Sequence, residues 1–286
     1  NITINTIRSS IFSIVRNSDN HQLQELLPPM SVVKPPAGSE LCEEVLLYLE
    51  IGRCTDDAIL MDIKATLNQI LAEVGSVVDD FGAMTQRAEA AVEMAKALPS
   101  AKIASSEVSE FLQWMSGGHF TFLGYDELAV DYSDGDPVVS AVQGSELGLL
   151  KRRPSLGVVE LESSVKSATS SEQLRDHPIL FGKSAIRSRV HRLVYPDYIM
   201  LRHFDSKGRL AGKLRFMGLF TSRVYTLPPT EIPLIRGKVA SVLERSGLNL
   251  ESHEGRDLGR VLDVFPRDEL FQCSVSQLFK TAMAVN

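Results

Sequence analysis

Two β-rich runs flank the polar tetrapeptide Asp205-Ser-Lys-Gly208. A glycine there can take a positive φ, so the pattern predicts a hairpin. With Phe204 opposite Arg209, alternation puts Ile199, Leu201, Leu210, Leu214 and Phe216 on one dry face. The other face then carries Tyr198, Met200, Arg202, Lys213 and Arg215, a mixture that fits a solvated or a contact surface. In this register Tyr198 faces Arg215 and Arg202 faces Ala211. Upstream, Ile11-Phe-Ser-Ile-Val15 and the alternating run Glu44-Val-Leu-Leu-Tyr-Leu-Glu-Ile51 predict strands within residues 1–52. From Leu60 to Leu98, apolar residues recur at steps of three and four, predicting a helix over 56–98. Thr55-Asp56-Asp57 starts it, Gly75 is a place for a kink, and Pro99 stops it. About forty residues at ~1.5 Å each make a rod of about 60 Å. Its apolar stripe needs cover.

The polar stretch 100–106 marks a boundary. Beyond it the pattern predicts a helix over 105–115 capped by Ser105 or Ser106, stopped by Gly117-Gly118, and a strand from His119 to Val130. Ser133-Asp-Gly-Asp-Pro137 turns the chain, and Val138 to Val142 and Leu147 to Leu150 add strands. Residues 151–178 are polar and serine-rich and read as a surface loop with some helix. After the hairpin, Pro228-Pro229-Thr230 introduces a helix over 231–245 with Ile232, Ile235, Val239, Val242 and Leu243 on its apolar face. Helices around 254–264 and 268–284 finish the chain. The expected class is α+β, with antiparallel sheets, a long helix and a helical C-terminal segment. Strands followed by a helix, twice over, are halves of ferredoxin-like or ACT-like modules. The expected domains are 1–99, an ACT-like module with the long helix, and 105–286. The latter holds a second ACT-like module over 119–248 and C-terminal helices over 250–286.

Composition changes this picture little. With 44% apolar and 23% charged residues the chain is an ordinary globular sequence. A net charge of −6, mixed along the chain, gives no electrostatic reason to expect nucleic acid or an anionic membrane as partner. Three cysteines, Cys42, Cys54 and Cys273, are odd in number and far apart, which points to reduced thiols and a cytoplasmic location. No apolar run approaches the roughly 20 residues that span a bilayer. A start at Asn1 and a hydrophobic tail suggest a piece of something longer.

Catalytic motifs are missing. No G-x-G-x-x-G follows a predicted strand, and no P-loop, HExxH or GxSxG is present. The six histidines are scattered, which argues against a zinc set. Asp131, Asp134 and Asp136 lack the order of a calcium loop. The expectation is therefore no catalytic residue, no cofactor site and no metal site in this chain. The suggestive groups are cationic. Arg187, His191, Arg202 and Arg215 flank or occupy the hairpin, with Thr221 and Ser222 just past it. Guanidinium forks take carboxylates in bidentate fashion, from an amino-acid effector or from an acidic side chain of a neighbouring domain. The rival reading pairs these arginines with Asp197, Asp205 and nearby acids.

Several longer runs carry a resemblance. Phe120-Thr-Phe-Leu-Gly-Tyr125, Arg187-Ser-Arg-Val-His-Arg192, Asp197-Tyr-Ile199, Phe204-Asp205 with Gly208-Arg209, Arg215-Phe-Met-Gly-Leu-Phe-Thr-Ser222 and Phe265-Pro-Arg-Asp-Glu-Leu-Phe-Gln272 stand in order. In these runs the chain resembles the region preceding the catalytic domain of the large bacterial NAD-specific glutamate dehydrogenases, from about Glu110 to the C-terminus. Leu193 stands where proline is expected, and Lys213 where an acid is expected. The resemblance implies a parent enzyme that oxidatively deaminates L-glutamate to 2-oxoglutarate and ammonia with NAD as cofactor. The glycine-flanked lysine segment of that family's catalytic domain is not in this chain. The chain would then be an N-terminal regulatory and oligomerisation fragment. Its partners would be the remaining domains of the same chain, further copies in a homo-oligomer, and an amino-acid effector. The alternative is a free-standing amino-acid-binding ACT-like sensor module.

Overall fold

The computed structural model describes residues 3–98, 103–132, 138–152 and 171–285. The expected stop at Pro99, the turn Ser133 to Pro137 and most of the serine-rich loop lie outside the described residues. The chain forms two compact units, residues 1–68 and 69–286. The division falls inside the long helix α1, Asp57–Lys96, not after it at 99–105 as the sequence suggests.

The first unit holds a three-stranded antiparallel sheet of order β2-β1-β3, from β1 Ile4–Asn17, β2 Leu23–Leu27 and β3 Ser39–Ile51. β1 and β3 pair along most of their length, with Ile7 opposite Leu49 and Ile11 opposite Val45. Ile14 and Val15 are buried, whereas Ile7, Ile11, Val45 and Leu47 are each more than half exposed. The first turns of α1 follow, where Asp56 Oδ1 accepts from the Ala58 amide at 2.9 Å and so caps the helix.

In the second unit the rest of α1 packs into the main core through Val77, Met84, Ala88, Ala91 and Ala95. Helix α2, Ser105–Trp114, has Ala104 at its cap with no side-chain bond, so neither Ser105 nor Ser106 caps it. One π-turn over Met115–His119 ends it, with Gly118 at φ 93°. The sheet is wholly antiparallel, of order β5-β4-β9-β8-β7, with β6 also on β4. Its strands are β4 Phe120–Asp131, β5 Val138–Ala141, β6 Leu147–Gly148, β7 Ile179–Lys183, β8 Asp197–Phe204 and β9 Leu210–Phe220. Of the expected strand Leu147 to Leu150, only the first two residues pair with β4. Gly148, at φ 59°, turns the chain into the short helix α3, Leu149–Arg152. Another short helix, α4 Ser171–Asp176, precedes β7.

The dry face of the hairpin is as expected for Ile199, Leu201, Leu214 and Phe216, all in the core. The register is not. Arg202 pairs with Lys213 and Tyr198 with Met217, two residues from the expected alignment. His203 pairs with Gly212 and Phe204 with Leu210, so Ala211 is an extra residue. That bulge turns Leu210 to the opposite face, where it packs with Leu174 and Phe204.

Beyond β9 run a short helix α5, Ser222–Thr226, and a 3₁₀ turn at Pro229–Glu231. Four helices follow: α6 Ile235–Ser246, α7 His253–Val264, α8 Arg267–Gln272 and α9 Val275–Val285. The expected 268–284 helix is thus two, broken at Cys273, whose backbone is extended. Lys238 Nζ bridges the break from α6 by donating to the carbonyls of Leu270, Phe271 and Cys273 at 2.8–2.9 Å. Arg236 ties α6 to α2 through Glu107 Oε1 at 2.8 Å and Glu110 Oε1 at 2.9 Å. An aromatic cluster joins sheet to helices, with Phe271 stacked on Phe220 at 4.6 Å and on Phe181 at 5.0 Å.

Candidate functional site

The six cationic and hydroxyl candidates fall in three places. Arg202 and Arg215 lie on the second face of the six-stranded sheet, which is not a solvated surface there. Arg215, Lys213 and Arg202 are 3%, 0% and 5% exposed. Arg215 Nε donates to Asp126 Oδ1 at 2.7 Å, and its Nη2 pairs with Asp126 Oδ2. The sheet register makes this pairing: Asp126 on β4 is the direct partner of Arg215 on β9. The guanidinium also lies 5.3 Å from the centre of the Tyr198 ring. Arg202 Nη1 donates to the carbonyl of His177 at 2.8 Å. Burial lowers the Arg202 guanidinium to about 10. The Lys213 amine is pushed down to about 8, by burial first and then by Arg202 and Arg215.

Arg187 and His191 sit elsewhere, on the connection between β7 and β8, where both are exposed. Thr221 and Ser222 lie just past the C-terminal end of β9, at the same end of the sheet, where Arg192 of that connection donates to the Phe220 carbonyl at 3.1 Å; the Thr221 hydroxyl donates to the Gly118 carbonyl at 3.3 Å. The structure therefore brings Arg202 and Arg215 to one sheet face and leaves the other four apart from them. The acids of the rival reading are also engaged with other groups. Asp197 takes Lys183 at 2.7 Å, and Asp205 accepts from the backbone of Lys207 and Arg209 and from Arg209 Nε. Asp126, which does hold Arg215, was not among the acids named from the sequence. Alternation along Phe122 to Leu128 is the signal that could have placed it on a face, but not its partner strand.

Chemically, the Arg215–Asp126 pair closes on itself: the fork that could take a ligand carboxylate is already on a carboxylate of the sheet. An open hollow of about 480 Å³ lies away from it, lined by Met94, Leu98, Arg175, His203, Lys207 and Gly208 among others. None of the six candidates lines it. Among the described residues, no group of three His, Cys, Asp or Glu is placed to hold a metal ion. The three cysteines are free thiols. No helix among the described residues is long and apolar enough to cross a membrane.

A dinucleotide has no ready seat at two of the strand-to-helix turns among the described residues. Its pyrophosphate needs a glycine turn from a strand into a helix N-terminus, with the backbone open to the ligand. At the strand-to-helix turn of Gly148 the amide already donates to Asp80 Oδ2 at 2.8 Å, and a Cβ there would meet the Leu123 carbonyl oxygen at 2.4 Å. The turn after β9 carries Thr221 and Ser222 and opens a helix of five residues.

The buried lysine gives a pH signature. Unfolded, Lys213 has an ordinary amine pKa of about 10.4; folded, it titrates at about 8. Above pH 8 the unfolded chain holds a proton that the folded one releases, so stability rises with pH towards 10.4. Below pH 8 both forms are charged and the cost of burial is fully present. Lys238, also lowered to about 8 by burial, acts in the same direction. The Cys42 and Cys273 thiols, pushed up by burial, begin to oppose it around the ordinary thiol range of about 8.5–9. Urea melts at pH 8 and 9 should show the wild type gaining about 1–2 kcal/mol over that interval. Lys213→Met should remove about half of that gain. Parallel profiles for the two proteins would remove Lys213 as the source.

Sequence comparison gives the chain's relatives. Residues 232–286, from the end of the 3₁₀ turn through α9, match the family described as glutamate dehydrogenase, helical motif 1. The chain is 40% identical over 290 residues to an NAD-specific glutamate dehydrogenase of Pseudomonas aeruginosa, covering 99% of this chain and 17% of that protein. It is 34% identical to the NAD-specific glutamate dehydrogenase of Halomonas elongata, with the same coverage. An NAD-specific glutamate dehydrogenase of Mycobacterium tuberculosis is 24% identical, covering 98% of this chain and 16% of that protein. The chain thus spans about a sixth of the length of the curated relatives it matches.

Proposed function

We propose that the chain is the N-terminal regulatory and assembly region of an NAD-specific glutamate dehydrogenase. The observation that carries the reading is the pattern of coverage: similarity runs over 99% of this chain yet takes up only 17% of two relatives of that name. In this reading the whole enzyme oxidatively deaminates L-glutamate to 2-oxoglutarate and ammonia, and the hydride passes to NAD in another part of the polypeptide. The Gly148 amide is taken by Asp80 and the turn after β9 has no glycine, so neither of these two turns offers a pyrophosphate an open glycine turn.

The regulatory part rests on architecture. The order β4-β9-β8, all antiparallel, followed by α6, reads as an ACT-like module, with α4 on the path from β4 to β8. Such modules take small amino acids as effectors, and an amino-acid effector and a homo-oligomer belong to the proposal. Arg187, His191 and Ser222 are exposed and open to a carboxylate, of an effector or of an acidic side chain in a neighbouring domain, whereas Arg215 contributes by holding β4 to β9.

Two measurements test the reading. Calorimetry of the 286-residue chain with NADH should be blank, and micromolar binding would overturn it. Amino acids titrated against glutamate oxidation should change the rate of the full-length enzyme but not of a version lacking this region. A native reading frame that ends with this chain would favour a free-standing sensor instead.

A further inference from the structure

The connection between β7 and β8, residues 184–196, carries three arginines and a histidine and no acid. It is a closed loop. Its ends meet where the Ser184 amide donates to the Pro196 carbonyl at 2.8 Å, and the Ser188 amide donates to the Val194 carbonyl at 2.8 Å. Two three-residue turns follow one another, from Arg192 N to Val190 O and from Val194 N to Arg192 O. Ser188 and Val190 are buried. Arg189 reaches Glu73 Oε1 at 2.7 Å, and Arg192 donates to the Phe220 carbonyl at 3.1 Å.

This loop is fixed from below and apolar on top. Leu193 is 65% exposed and Tyr195 44%, with Ile186 and Val194 beside them also exposed. The Arg187 guanidinium lies over the Tyr195 ring at 5.1 Å, and His191 and Arg192 are exposed at the rim. Ordering a loop costs conformational entropy. Here that ordering leaves Leu193, Val194 and Tyr195 in water, which does nothing for the fold of the unit. A rigid tyrosine stacked with an arginine, apolar neighbours and a cationic rim are the makings of a protein interface.

We infer that this loop is a docking surface for an acidic segment with apolar side chains, from the part of the full-length polypeptide outside residues 1–286. The inference rests on the proposed function. Complementarity sets the chemistry: with Arg189 already on Glu73, the exposed Arg187, His191 and Arg192 stand on a loop that carries no acid and favour carboxylates around an apolar contact. Length sets the source. The relatives have more than four-fifths of their residues outside the matched region, and a segment of the same polypeptide docks at high effective concentration.

The test uses the full-length enzyme. Hydroxyl-radical footprinting should find Leu193 and Tyr195 oxidised at least ~5-fold more slowly than their intrinsic reactivity, as for groups shielded in an interface core. Oxidation at the intrinsic rate would overturn the inference. Arg187→Lys then supplies an amine for zero-length carbodiimide coupling to a contacting carboxylate. Coupling to an acid outside residues 1–286 of the same polypeptide is the expected result. In an oligomer mixed from light and heavy isotopes, coupling to residues 1–286 of another copy would name a different occupant and overturn it. Glutamate oxidation by the same preparation separates the two readings. An active enzyme with an unprotected loop loses this inference alone, whereas a protein inactive with glutamate and NAD loses the proposed function.

Discussion

Arg215→Ala is expected to destabilise the second unit by about 3–5 kcal/mol. The substitution leaves the Asp126 carboxylate, 4% exposed, without its bidentate partner. Burial already pushes that carboxyl up even with Arg215 against it. The variant would neutralise Asp126 or open the sheet at β4–β9. Asp126→Ala should cost a comparable amount by taking from the buried guanidinium the carboxylate it forks. Arg215→Lys should recover little, because a point charge does not reproduce the planar fork over Tyr198. Arg215→Met with Asp126→Leu should come within about 1–2 kcal/mol of wild type, since apolar replacement of a whole buried pair is often near neutral. Denaturant melts with an unchanged m-value would measure all four. A loss under 1 kcal/mol in both single alanine variants would mean that water reaches the pair.

This pair marks a limit of reading the hairpin alone. Alternation was enough to assign Ile199, Leu201, Leu214 and Phe216 to the core, because a period of two is local. The burial of Arg202, Lys213 and Arg215 is not local: it depends on β4 pairing with β9 across 89 residues of sequence. Register was also hidden. The expected alignment paired Phe204 with Arg209, but Asp205 accepts from the amides of Lys207 and Arg209 and keeps Arg209 in the turn. The strands then meet two residues further on, with Ala211 as a bulge. β7 was missed because five residues beside a polar stretch give too short a pattern. The loop of residues 184–196 was legible as a cationic run, but not as a rigid one. Its order comes from turns and from Glu73, which lies 116 positions upstream.

Met84→Asp should abolish cooperative unfolding of the second unit at 25 °C, a loss of more than about 4 kcal/mol, while Leu67→Asp should cost about 1 kcal/mol or less. Periodicity presents α1 as one apolar stripe from Leu60 to Leu98 and suggests that Leu67 and Ile70 are as indispensable as the rest. The structure divides that stripe. Leu67 is 40% exposed, Val74 and Phe81 are also exposed, and Met84, Ala88, Ala91 and Ala95 are 0% exposed. The buried stretch is the one rich in alanine. Small side chains let the helix backbone approach its neighbours closely, so the packed half of the stripe is the less hydrophobic by composition. Around it α1 is pinned by polar contacts as well. Asp80 Oδ2 accepts from the Gly148 amide at 2.8 Å and from Lys151 at 3.0 Å, and the Arg152 guanidinium bonds Ser76. A carboxylate at position 84 would replace a side chain that is 0% exposed and would sit desolvated in the core. At position 67 it would reach solvent and lose only partial burial and some helix propensity. Thermal melts followed by circular dichroism distinguish the two outcomes. Equal losses in both variants would mean that the first half of α1 is covered as fully as the second.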